Sequence, residues 1–147
     1  MNYYDYNDDD DYDDYHPNDD IWFCLDSDWV KEVFVLLRDG FFNVNAINHQ
    51  GYSLLELAEH DEMISMLIEA GALVEQGNRF TQYHLPLARQ ICLKRIFQIC
   101  VGLQSLELSA LELLAIVDES NPNMAHLTMN QKWTAITAIK HFHEKKK

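Results

Sequence analysis

The segment from Val44 to Ala72 restricts the fold of this chain more than any other. It opens on Val44-Asn45-Ala46-Ile47-Asn48-His49-Gln50-Gly51, where polar residues and a glycine mark a turn. Gly51 can take the positive φ that a tight turn requires. Ser53-x-x-Glu56 then forms a capping box: the Ser53 hydroxyl accepts from the backbone N–H three residues on, and Glu56 reaches back to the Ser53 N–H. Both bonds satisfy donors that a helix start leaves without partners. A second, leucine-rich helix follows at Ile64-Ser65-Met66-Leu67-Ile68, and Gly71 suits the left-handed position that ends it. The spacing predicts two short helices held by a turn.

Position by position, this stretch resembles an ankyrin repeat. Val44, Asn45, Ala46, Gly51, Leu55, Ala58, Ile64, Leu67, Ile68, Gly71 and Ala72 fall on the family pattern, and Asn48 replaces its Asp. Ser53, Leu54 and Glu56 stand where the family has Thr, Pro and His, and the capping box does the work of that Thr and His. From Gly51 to Gly71 is 20 positions, three short of the family spacing, so residues are missing between the two helices. A unit of this kind cannot bury its apolar face alone, and the resemblance therefore implies neighbours. Upstream, Trp29–Gly40 reads as the second helix of a preceding unit, with Ser27 or Asp28 as N-cap, and Gly40 lies 31 residues before Gly71. Downstream, Thr81 and His84 keep family spacing, and Leu87–Ile91 with Ile96–Val101 are expected as two short helices of a degenerate unit. The expected fold is all-α: an ankyrin-type stack of two to three helix pairs over residues 21–103, closed by a C-terminal helical hairpin over 104–147.

Charge separates the first 20 residues from the rest. They hold nine Asp, five Tyr and no Lys or Arg, and carry −9 of the formal −13, which leaves −4 for the remaining 127. Aspartates packed so densely repel one another and bury nothing, so residues 1–20 are expected to be a disordered acidic tail. Asp8–Asp14 lacks the alternating ligands, glycine and closing Glu of a calcium loop. Such a tail attracts a basic partner, imitates nucleic-acid phosphate, or serves only to keep the chain in solution. Direct nucleic-acid binding is not expected, because no basic stripe exists apart from Lys145–Lys147.

No apolar run is long enough to span a membrane, and the N-terminus lacks the basic and apolar regions of a signal peptide. Cys24, Cys92 and Cys100 lie in apolar segments without metal or redox spacing, and are expected as core residues in the cytosol or nucleus. After Gly102, Ser109-x-x-Glu112 and Thr128-x-x-Gln131 are two more capping boxes, around an Asn121-Pro122-Asn123 loop. They open the helices Leu111–Val117 and Lys132–Phe142, the second with an apolar stripe through Trp133, Ile136 and Ile139. An alternative reading notes that Leu108–Val117 resembles the opening of an F-box, and Leu85–Ile96 the first helix of a SOCS-type box, which would make the chain a ubiquitin-ligase adaptor. The F-box proline is absent, however, and the spacing after Glu112 is short by one, which rotates a helical face by about 100°.

The expected function is protein binding without catalysis, cofactor or metal. The seven histidines are scattered, and His141 and His143 project about 200° apart on a helix, so they cannot share an ion there. The resemblance implies a binding surface on turn tips and first helices. Carried over, it falls on Phe42, Ile47, His49, Gln50 and Tyr52, then on Glu59 and His60, and on Arg79, Phe80 and Tyr83 of the degenerate unit.

Overall fold

The computed structural model describes residues 17–40 and 42–145. It is all-helical, and an isolated antiparallel bridge between Ile47 and Ser53 is its extended pairing among those residues. Helix α1 (Pro17–Asp26) and α2 (Val30–Arg38) form a first pair; α3 (Leu54–Leu57) and α4 (Asp61–Glu69) form a second. The pairs stack like on like, α1 beside α3 and α2 beside α4. A long α5 (Leu85–Gly102) packs on α4, and with α6 (Ala110–Ser120) and α7 (Met129–Lys145) it makes a three-helix bundle.

Local chemistry fixes the ends of these helices. Asp28, at φ +59°, lets the Asp28 N–H reach the Leu25 carbonyl and the Trp29 N–H reach Cys24, which terminates α1. Asp28 therefore closes one helix and does not open the next: α2 starts from Trp29 with no side-chain cap, contrary to the expected Ser27 or Asp28. Gly71, at φ +108°, ends α4 through the same pair of bonds, Gly71 N–H to Ile68 and Ala72 N–H to Leu67. Ser53 and Glu56 exchange both capping-box bonds, as do Ser109 with Glu112 and Thr128 with Gln131.

Three expectations need correction. Helix α1 begins at Pro17, inside the segment expected to be disordered; the acidic residues 1–16 lie outside the described residues. The degenerate third unit is not two short helices but the continuous α5, because Cys92-Leu93-Lys94-Arg95 offers no breaker and Pro86 sits in the first turn, where its missing N–H costs nothing. The α7 stripe runs through Lys132, Ile136 and Ile139, four and three residues apart, and leaves Trp133 at the edge, 36% exposed. Lys132 is 8% exposed, and its Nζ meets Asp118 Oδ1 of α6 at 2.7 Å.

The core divides in two. Ile21, Val33, Leu54, Leu67, Ile68 and Val74 are fully enclosed in the first part; Cys92, Ile96, Val117 and Ile136 are fully enclosed in the second. Each large apolar side chain contributes roughly 1.5–3 kcal/mol by leaving water. Helix α5 serves both, with Ala88 in the first and Cys92 in the second. The three cysteines are buried, as expected of core residues.

Two asparagines clamp the seam. Asn45 donates through Nδ2 to the Gly71 carbonyl at 3.0 Å and accepts from the Leu73 N–H at 2.8 Å. Asn123 grips the next two residues in the same way, donating to Ala72 O at 2.7 Å and accepting from Val74 N–H at 2.8 Å. Asn121 adds a bond to the Ile68 carbonyl at 2.9 Å, and His126 bonds the Val74 carbonyl through its ring nitrogen. Asn121-Pro122-Asn123, expected only as a loop, thus ties the bundle to the end of α4.

Candidate interaction surface

The turn before α3 projects as a finger. Asn48 holds its tip by accepting from the Gln50 and Tyr52 N–H groups at 2.9 and 3.0 Å, while its backbone pairs with Tyr52 and Gly51. Gly51 supplies the φ of +90° that lets the chain reverse. Ile47, His49 and Gln50 stand exposed on this finger, Ile47 at 64%. An aliphatic side chain so exposed adds little to the core.

A second loop lies against the finger. Asn78 turns it by accepting from the Phe80 and Thr81 N–H groups, and its Nδ2 donates to Glu56 Oε2 at 2.9 Å. Burial pushes the Glu56 carboxyl up, but the bonds from Asn78 and Ser53 together outweigh it and hold the group below its ordinary value. One carboxylate therefore caps α3 and anchors the loop. Phe80 packs edge-on against Tyr52, with centroids 5.9 Å apart, and the Arg79 guanidinium lies 5.0 Å over the Phe80 ring. Tyr83 stands 77% exposed on the short 3₁₀ turn that follows.

Glu59 and His60 line a groove of about 420 Å³ between α1 and the end of α3, which reaches Asn48 of the finger. Trp22, Phe23, Asp26 and Asp28 form its other wall, and His60 Nε2 approaches Asp28 Oδ2 at 4.0 Å. The sequence reading missed this wall because it missed α1. The signal was present: Pro17 in a first turn, then Ile21, Cys24 and Leu25 at helical spacing. Phe42 does not join the surface. It is half-buried, edge-on to Trp22 at 5.7 Å, and packs on the first core. Phe41 falls outside the described residues.

The expected site residues thus separate into a finger tip (Ile47, His49, Gln50), an aromatic strip (Tyr52, Arg79, Phe80, with Tyr83 beyond) and a groove pair (Glu59, His60). Cys92 and Cys100 sit in the second core, where burial pushes the Cys92 thiol up to about 11 and Cys100 also upward, so neither is poised as a nucleophile. Among the described residues no three His, Cys, Asp or Glu side chains gather as a metal site. No helix among them is long and apolar enough to cross a membrane. Leu113 and Leu114, the residues on which an F-box-like contact would depend, are 4% and 9% exposed within the second core. Comparison with protein-family models, with curated proteins and with solved structures returns no match.

Proposed function

We propose that this chain is a non-enzymatic protein-binding module, an ankyrin-type pair of helix pairs closed by a helical bundle. The Val44–Ala72 resemblance supports the family reading, together with the like-on-like pairing of α1 with α3 and α2 with α4. The observation that carries the function is the exposure of apolar side chains on the finger and the loop packed against it: Ile47 at 64%, Phe80 at 44% and Tyr83 at 77%. Aromatic side chains so placed act as interface anchors, each commonly worth about 2 kcal/mol or more when a partner covers them. A basic partner is favoured, because Asp26, Asp28 and Glu59 line the neighbouring groove. The same reading places the module in the cytosol or nucleus, where thiols such as Cys92 and Cys100 stay reduced.

The adaptor alternative finds less support, since the core already encloses Leu113 and Leu114. Affinity capture tests the proposal with wild type, an Ile47→Ser/Tyr83→Ala variant and a chain lacking residues 1–16. A protein held by wild type and by the shortened chain, but lost from the double variant at an unchanged Tm, supports binding through the finger edge. Equal retention by the double variant sinks it, and loss on shortening transfers the role to the acidic segment.

A further inference from the structure

The C-terminal bundle holds a cavity of about 430 Å³ that protein binding at the finger edge leaves unused. We propose that it binds a small amphiphile, an unbranched apolar chain with a single carboxylate whose head meets the Lys140 ammonium. Phe97 and Cys100 of α5, Leu103 and Leu108 of the connection, and Ile139 and Phe142 of α7 form its walls, with Leu113 of α6 among them. Its volume falls within the roughly 300–1,000 Å³ of small-molecule sites, and such sites are mostly apolar with one or two convergent polar groups.

Lys140 is that polar group. It is half-buried, and its Nζ donates to the Leu108 carbonyl at 2.9 Å. An ammonium carries three donors, so two N–H groups remain for a ligand. The contrast with Lys132 is informative, because both lysines turn inward from α7. Lys132 has Asp118 at 2.7 Å, whereas no carboxylate among the described residues lies within ion-pair distance of Lys140. A partly desolvated cation beside an apolar cavity, engaged in no ion pair, gains free energy when an anion comes within hydrogen-bond reach. The rim limits how much negative charge is welcome. Glu107, His143 and Glu144 also line the cavity, so a head with one negative charge meets less repulsion than a phosphate ester or dicarboxylate would.

The test is titration of the isotopically labelled full chain with decanoate below its micelle concentration, followed by amide chemical shifts. Decanol and decyltrimethylammonium serve as headgroup controls. Val101 is 40% exposed at the cavity, so Val101→Trp blocks the space without entering the core. Decanoate is expected to produce saturable shifts confined to residues 97–108 and 137–144, with weaker binding of the alcohol and none of the cation. Lys140→Gln should weaken decanoate roughly tenfold or more, the loss of one charge-assisted bond, and Val101→Trp should abolish it. Absence of saturable shifts, shifts spread over both cores, equal affinity for the cationic amphiphile, or indifference to Val101→Trp would each overturn the proposal. Should Lys140→Gln fail to fold, Val101→Trp and the headgroup series decide the question. A finger-edge variant is expected to bind decanoate normally, so failure of one site leaves the other intact.

Discussion

Replacing Asn123 with Ala should destabilise the fold far more than replacing Asn45, although the two side chains make nearly the same bonds. Asn123 accepts from Val74 N–H at 2.8 Å and donates to Ala72 O at 2.7 Å; Asn45 accepts from Leu73 N–H at 2.8 Å and donates to Gly71 O at 3.0 Å. Asn123 also donates to Asn121 Oδ1 at 3.0 Å, but burial is the larger difference. Asn123, Ala72 and Val74 are 0, 1 and 0% exposed, while Asn45 and Leu73 face solvent. After Asn45→Ala, water takes over both backbone groups, and the cost is the net value of the bonds, about 1 kcal/mol. After Asn123→Ala no water reaches them. Two buried backbone groups are stranded at roughly 1–3 kcal/mol each, giving about 3–4 kcal/mol. For a chain of this size that corresponds to a fall in Tm of roughly 10–15 °C, against a few degrees for Asn45→Ala. Urea unfolding followed by circular dichroism and by tryptophan fluorescence measures both variants. If Asn123→Ala lies within about 1 kcal/mol of Asn45→Ala, burial does not set the cost of this clamp and the reasoning fails.

Glu56 has a folded pKa below its ordinary 4.5, so its contribution to stability is present above that value and is lost as pH falls through the folded pKa. Glu56→Gln should therefore show a shallower loss of stability than wild type on acidification below pH 4.5, in melts recorded across that range. Cys92, with its thiol pushed up to about 11, should react with a thiol reagent at neutral pH only as fast as the bundle opens, and denaturant should accelerate labelling; rapid labelling of the native chain would contradict its burial. Gly71→Ala should cost about 1–2 kcal/mol from backbone strain alone, because the added Cβ meets Pro122 and Val44 only at 3.8 Å, and calorimetry gives the value directly. Ile47→Ser should change stability by no more than about 0.5 kcal/mol, which a thermal melt checks.

What the sequence made legible was local. All three capping boxes formed, because a Ser or Thr and its partner three residues on need nothing from the rest of the chain. Gly51 and Gly71 took their left-handed positions for the same reason. Long-range partners were not legible. Asn123 reaches Val74 across 49 residues and Asn121 reaches Ile68 across 53, and nothing near the Asn-Pro-Asn triplet distinguishes a clamp from an ordinary turn. Periodicity failed where it was asked to choose between adjacent residues: Trp133 is the more apolar, but Asp118 on the facing helix gives Lys132 the better place inside. Of the surface, the finger tip and strip were named from the sequence. The groove wall was not, because the boundary drawn at residue 20 cut through α1, and its remaining turn and a half, with Ile21, Cys24 and Leu25, was too short to read as a helix.

Helix α5 has a consequence for how such a molecule can change length. A stack of separate units tolerates insertions in the loops between them, since each unit reseats on its neighbour. Here one rod passes from the first hydrophobic cluster into the second without a joint, with Ala88 on one side of the crossing and Cys92 on the other. Adding a single residue between them would swing everything beyond by about 100°, tearing Asn121 and Asn123 away from the strand of backbone they hold. Only steps close to whole helical turns preserve the alignment, so this rod should vary in length by three or four residues or not at all.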